Sequence, residues 1–247
     1  MAGRSSARRV AVALAWRPEW PVVMVVAMAW VALVVLYVSS SSQGAHTGYG
    51  SHGDPATLAA FGAATGGWTL MSMAMMVPTT LPAVRHVGLN SIRCRRRWAM
   101  ALYVASYLAP WVTFGMLALL LVRALRSAGP DEQQLLVGTL VIAVMWQLTK
   151  WKRRSVVACR RTVPLPPAGW RADCACARFG IRQAGRCVVS CWPLMLLMAV
   201  IGHGNVIIMA ALTLGIVVEQ RTWVRGSLTA PLTGALAAAT VWAVLSG

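Results

Sequence analysis

The chain has 247 residues, 58% of them hydrophobic and 12% charged, with 23 Lys and Arg against 6 Asp and Glu and a formal net charge of +17. Soluble domains carry about 25% charged residues, so a water-soluble fold of this composition lacks polar surface. The positive charge does not argue for nucleic acid, because the basic residues sit in short segments between apolar runs, where they set membrane orientation and meet anionic lipid headgroups.

A basic tail over residues 1–20, with Arg4, Arg8, Arg9 and Arg17, precedes an apolar run from Pro21 to Val38. That run exceeds the signal-peptide core of about 7–15 residues and no small-residue cleavage site follows it, so it reads as a retained first helix. Further apolar runs cover Ala56 to Val84, Trp98 to Val122, Gln133 to Trp151, Cys187 to Val218 and Ser227 to Leu245. Inside lipid each must be helical, because the backbone has only itself to bond to. The fifth run has 32 residues. As one helix it would reach about 48 Å, well beyond a hydrocarbon core of about 30 Å. Gly202-His203-Gly204-Asn205 supplies a break in its middle.

Counting Lys and Arg orients these spans. The tail, the five arginines Arg85, Arg93, Arg95, Arg96 and Arg97, and ten Lys and Arg between Lys150 and Arg186 all belong on the cytoplasmic side. The segment from Ser39 to Pro55 has none and faces outward. Arg221 and Arg225 favour the cytoplasm too, which requires the fifth run to cross twice. The expectation is an all-α, polytopic bundle in the inner (plasma) membrane, with seven transmembrane helices, six being the alternative. Its N-terminus is cytoplasmic, residues 21–247 form the membrane domain, and a basic cytoplasmic loop covers 152–186. That loop, with Pro164, Pro166 and Pro167 at its centre, is too poor in apolar residues for a core of its own.

All six cysteines fall in or beside the segments assigned to the cytoplasm, where a reducing environment disfavours structural disulfides. They remain as packing thiols, redox thiols or metal ligands. In the fifth run Cys187, Cys191, Met195, Met198, Asn205 and Met209 recur at steps that share one helical face, with Gly202 on the same stripe. Thiolate and thioether select Cu(I) over hard cations, while the same residues also serve as apolar filler at a close helix contact. Trp68, Met71, Met75, Pro78 and Pro82 form a second stripe, from which Met73 and Met76 point away. Pro78 should bend this helix and free the carbonyl of residue 74. His203, between two glycines at the break, needs a partner, whereas His46 and His52, near Asp54, read as incidental to a flexible outward loop. Glu219 is explained by pairing with Arg221 or Arg225 at the membrane surface. Cys174-x-Cys176 is a weak soft-metal signal. No Walker loop, dinucleotide-binding glycine pattern, His-Glu-x-x-His or Gly-x-Ser-x-Gly is present, so enzyme chemistry has no positive support.

The stretch from Trp68 through Met71, Met75, Met76 and Pro78, together with Cys187-Val-Val-Ser-Cys191-Trp192-Pro-Leu-Met195, resembles a bacterial family of integral membrane proteins described as metal-binding and sometimes labelled copper chaperones. The resemblance runs from about Trp68 to Glu219 and includes Ala74, Pro82, Cys159-Arg160, Gly202 and Asn205. It adds Met76 to the candidate ligands Met71, Met75, Cys187, Cys191, Met195, Met198 and His203, with Trp68, Pro78, Pro82, Trp192, Gly202, Asn205 and Glu219 as structural positions. Where the family tends to have adjacent cysteines this chain has Ser190-Cys191, where a His is frequent it has Gln183, and Gly204 replaces a common Met. The functional expectation is Cu(I) handling or delivery, with membrane lipids and a copper-receiving protein as partners. The alternatives are a structural or assembly subunit of a membrane complex and a thiol redox enzyme using Cys187 and Cys191.

Overall fold

Apolar runs that lack water must satisfy their backbone within the segment, and the helix is the way a single run does so. The computed structural model describes residues 18–42, 58–202, 206–222, 234–239 and 242, and every regular element among the described residues is helical. In chain order these are α1 (Trp20–Ser42), α2 (Leu58–Asn90), α3 (Arg96–Ser127), α4 (Glu132–Gln147), α5 (Lys150–Ala158), α6 (Trp170–Ile201) and α7 (Val206–Thr222). Residues 234–239 add a helical stretch inside the expected last span.

The long helices alternate in direction. Pro18, before α1, lies against Gly88 near the end of α2. Asp173, in the first turn of α6, pairs with Arg95 and accepts a hydrogen bond from Trp98 Nε1 at 3.1 Å, so α3 and α6 start side by side. At the other end Arg126 of α3 donates to Val200 O at 3.1 Å and pairs with Glu132 at the start of α4. Lys152, just beyond α4, pairs with Glu219 near the end of α7 at 2.8 Å. Hence α1, α3 and α6 run one way and α2, α4 and α7 the other.

The fifth apolar run is therefore two antiparallel helices. Gly202, with φ +90°, ends α6, and the chain returns as α7. A left-handed φ at a helix end suits glycine, which has no Cβ to clash.

The segment expected as a loop over 152–186 is mostly helical. Only residues 159–169, which hold the three prolines, lie outside α5 and α6. From Ala172 onward, Cys176, Phe179, Gly180, Gln183, Ala184 and Cys187 fall on a buried stripe at helical spacing, while the intervening arginines lie outside it. This stripe completes a second core with Ala83, Val84 and Val87 of α2 and Ala99, Met100 and Tyr103 of α3. The segment thus lacks a core of its own but shares one. Gly180 permits the approach, since a Cβ there would stand 2.7 Å from Tyr103 O.

The exterior is apolar where water-soluble bundles are polar. Met24, Met28, Val31 and Val35 of α1, Leu117, Leu120 and Leu121 of α3, and Ile142 and Met145 of α4 are all exposed. Among the described side chains of α1 only Val26, Ala29 and Leu33 are buried, on one narrow face. Among the described residues three helices, Trp20–Ser39, α3 and α6, are long and apolar enough to cross a membrane.

Prolines inside these helices leave carbonyls without their i+4 donor. Two of them are met by tryptophans of other helices. Trp30 Nε1 donates to Ala74 O, four residues before Pro78, at 3.0 Å. Trp146 Nε1 donates to Val189 O, four residues before Pro193, also at 3.0 Å.

Candidate metal centre

Both sulfur stripes end in the same core. Trp68, Met71 and Met75 of α2 are fully buried, as are Met195 and Met198 of α6, with Cys187 and Cys191 nearly so and Met209 arriving from α7. Met76, whose spacing sets it off the stripe, is also fully buried there. The reason is that α2 is enclosed on more than one side, by α1, α3 and α7. α2 and α6 are not among the closely packed pairs; their side chains meet in a core completed by Tyr107 and Trp111 of α3.

Within this core the thiols form a line. Cys187 and Cys191 belong to this core and Cys159 packs against it, and the side chains acting on the Cys187 thiol are Cys159, Cys191 and Tyr107. Ser190 Oγ is 3.1 Å from Cys191 Sγ. The Tyr107 hydroxyl also reaches Met76 O at 3.4 Å, so one phenol touches both sulfur-bearing helices. Among the described residues, no group of three or more His, Cys, Asp and Glu converges to hold a metal ion; the thioethers of Met71, Met75, Met195 and Met198 are further soft donors in the same core.

Cys159 leads outward from this line. It follows α5 and is half-buried. Beside it opens a cavity of about 650 Å³, whose wall includes Pro78, Pro82, Gln183, Glu19 and the arginines Arg85, Arg160 and Arg161. Gln183 Nε2 donates to Cys159 O, while Gln183 Oε1 is buried with no hydrogen-bond partner.

The cation acting on Cys191 is Lys152 rather than an arginine. Lys152 is almost completely buried, bonded to Gln147 Oε1 and paired with Glu219. Glu219 was expected at the membrane surface with Arg221 or Arg225. The return of α7 instead carries it inward to Lys152, leaving its Oε1 and Gln147 Nε2 without partners.

The Cys174-x-Cys176 pair does not converge. Two residues apart on a helix they turn about 200° from each other, so Cys174 is exposed while Cys176 enters the second core. Cys94 is exposed between α2 and α3. Trp192 packs edge-on to Trp146 with centroids 5.4 Å apart. His203, Asn205, Arg225, His46, His52 and Asp54 lie outside the described residues.

Sequence reasoning passed over Tyr107 and Lys152, and noted Gln183 only as standing where the family often has a His and Cys159 only within Cys159-Arg160. The adjacency Cys159-Arg160, present in the resemblance, was the signal for the last. The others depend on partners far away in the chain.

Fold and site together define a helical bundle whose core is filled by thiols and thioethers from several helices. The chain belongs to the PpoB2 family, described as copper chaperone, whose model matches residues 65–244. No curated protein and no solved structure matches it.

Proposed function

We propose that the protein is a multi-pass inner-membrane copper handler that takes up Cu(I) through Cys159, Cys187 and Cys191 and holds it against the thioethers of Met195, Met198, Met71, Met75 and Met76. The observation that carries this reading is the single core in which both sulfur stripes are buried. Soft, polarizable donors match a soft monovalent cation. Its role is binding and delivery rather than catalysis. His203 remains a further ligand in this proposal.

The apolar exterior supports seven crossings. α4 with 16 residues and α7 with 17 span about 24–26 Å, so the bilayer thins around them. The basic end of α2 and the basic starts of α3 and α6 then stand together on the cytoplasmic side, among anionic headgroups.

Copper loading tests the proposal. Full-length protein in lipid nanodiscs, kept reduced, is titrated with Cu(I) against a chromophoric chelator. Stoichiometric retention lost in Cys187→Ser/Cys191→Ser is the expected result, and no retained copper in the wild type defeats the reading. A second reading, a structural or assembly subunit whose stripes only pack, draws on the complete burial of Met71, Met75, Met195 and Met198. It predicts that absence of copper.

A further inference from the structure

The cavity beside Cys159 has a composition that the sulfur core does not explain. Arg85, Arg160 and Arg161 are exposed in its wall, and the three ion pairs among the described residues use none of them. Among the described residues Glu19 is the only acid lining it. An anionic occupant therefore has up to three guanidinium groups to meet, each suited to a carboxylate. Gln183 braces the same wall: it is 5% exposed, and its Nε2 is held by Cys159 O. The third feature is Cys159, which lines the cavity and packs against the core that holds Cys187.

We infer that this cavity docks a small acidic thiol peptide that carries Cu(I), of the glutathione type, and that Cys159 is the thiol that receives the ion from it. The inference rests on the copper reading for its metal and on the cavity for its ligand. Carboxylates answer the arginines, and the peptide's sulfur brings copper to Cys159. About 650 Å³ is ample for a tripeptide, within the range of about 300–1,000 Å³ of small-molecule sites. Transfer is ligand exchange without redox change. The bond from Cu(I) to the peptide sulfur breaks and a bond to Cys159 Sγ forms. The Cys159 thiol proton passes to the departing peptide thiolate, and copper stays in the +1 state. The same exchange repeated at Cys187 carries the ion inward.

The test compares two copper donors on the full-length protein in phosphatidylcholine nanodiscs. Arg160→Gln/Arg161→Gln slows loading from Cu(I)–glutathione by about tenfold or more, as expected for lost charge-assisted contacts, and leaves loading from Cu(I)–acetonitrile within about threefold. Equal slowing from both donors, or no slowing, overturns the docking site. Cys159→Ser slows transfer from Cu(I)–glutathione while still docking the metal-free peptide; unchanged transfer removes Cys159 from its assigned role. Docking is read separately by saturation-transfer NMR with S-methylglutathione, which needs no copper. A signal present in wild type and lost in Arg160→Gln/Arg161→Gln supports the site even if the copper reading fails, and no signal in wild type overturns it. Inorganic phosphate or added anionic lipid that displaces S-methylglutathione at equal concentration reduces the cavity to an unselective anion cradle and also overturns it.

Discussion

The indole Nε1 of Trp30 lies 3.0 Å from the carbonyl oxygen of Ala74, the carbonyl that Pro78 deprives of its helical donor. A side chain on α1 thus completes the backbone of α2. Leaving that carbonyl without a donor in apolar surroundings costs about 1–3 kcal/mol. Trp30→Phe should lower the thermal midpoint in detergent, read by scanning fluorimetry. In a Pro78→Ala background, where the amide returns, the same substitution should cost much less. Equal costs in both backgrounds would show that packing, not the hydrogen bond, sets the effect.

Gly115 separates tolerated from forbidden methyl groups. A Cβ there would fall 2.0 Å from Trp68 Nε1, and that indole is fixed by a 2.9 Å hydrogen bond to Trp111 O. Gly115→Ala should destabilise by more than about 3 kcal/mol or prevent folding. Gly138 in α4 has open space within 4 Å, so Gly138→Ala should be neutral or stabilising by up to about 1 kcal/mol. Expression yield and thermal midpoints of the two variants, measured side by side, check the contrast.

The buried pair Lys152–Glu219 predicts an asymmetry. Lys152→Met strands a carboxylate among apolar groups and should cost about 3–5 kcal/mol, while Lys152→Met/Glu219→Leu should recover most of the loss. Glu132→Ala, which breaks the exposed pair with Arg126, should cost no more than about 1 kcal/mol. Denaturation of the three variants and the wild type in one detergent gives the comparison. A double variant as unstable as Lys152→Met would contradict the pairing.

Thiol accessibility tests the orientation. Cys94 and Cys174 are exposed, whereas Cys176, Cys187 and Cys191 are buried. In single-cysteine variants, a membrane-impermeant maleimide should label Cys94 and Cys174 in inverted vesicles and not in intact cells, and should label the buried three slowly from either side. A reporter active only in the cytoplasm, fused after Gly247, should be silent if there are seven crossings. Labelling of Cys174 in intact cells would invert the bundle.

The sulfur stripes could be read before any coordinates because their signal is local: the steps between Met71 and Met75, or Cys187 and Cys191, already state which face they share. The break at Gly202 was legible for the same reason, in the glycines flanking His203. Charge counting was less reliable over Lys152 to Arg186. It treats arginine as a mark of loop, yet arginine is a good helix former, and here it alternates with a buried stripe from Ala172 to Cys187. Lys152 meeting Glu219, or Tyr107 meeting Cys187, could not be anticipated, since the partners are separated by 67 and 80 residues and nothing local encodes the encounter. The prolines give half of such a contact: Pro78 and Pro193 announce where a donor is wanted, but not that Trp30 and Trp146 supply it.

The buried face of α7 runs Met209, Leu212, Ile216, Glu219. A purely apolar stripe could slide along its own axis by a turn, about 5.4 Å, and still offer hydrocarbon to its neighbours. Ending the stripe in a carboxylate removes that freedom, because a shift either way drags the charge out of reach of Lys152 and into Ile216's surroundings. The ion pair therefore acts as a depth stop that fixes how far α7 is inserted beside the sulfur core. It holds Met209 at one height, which hydrophobicity alone could not do.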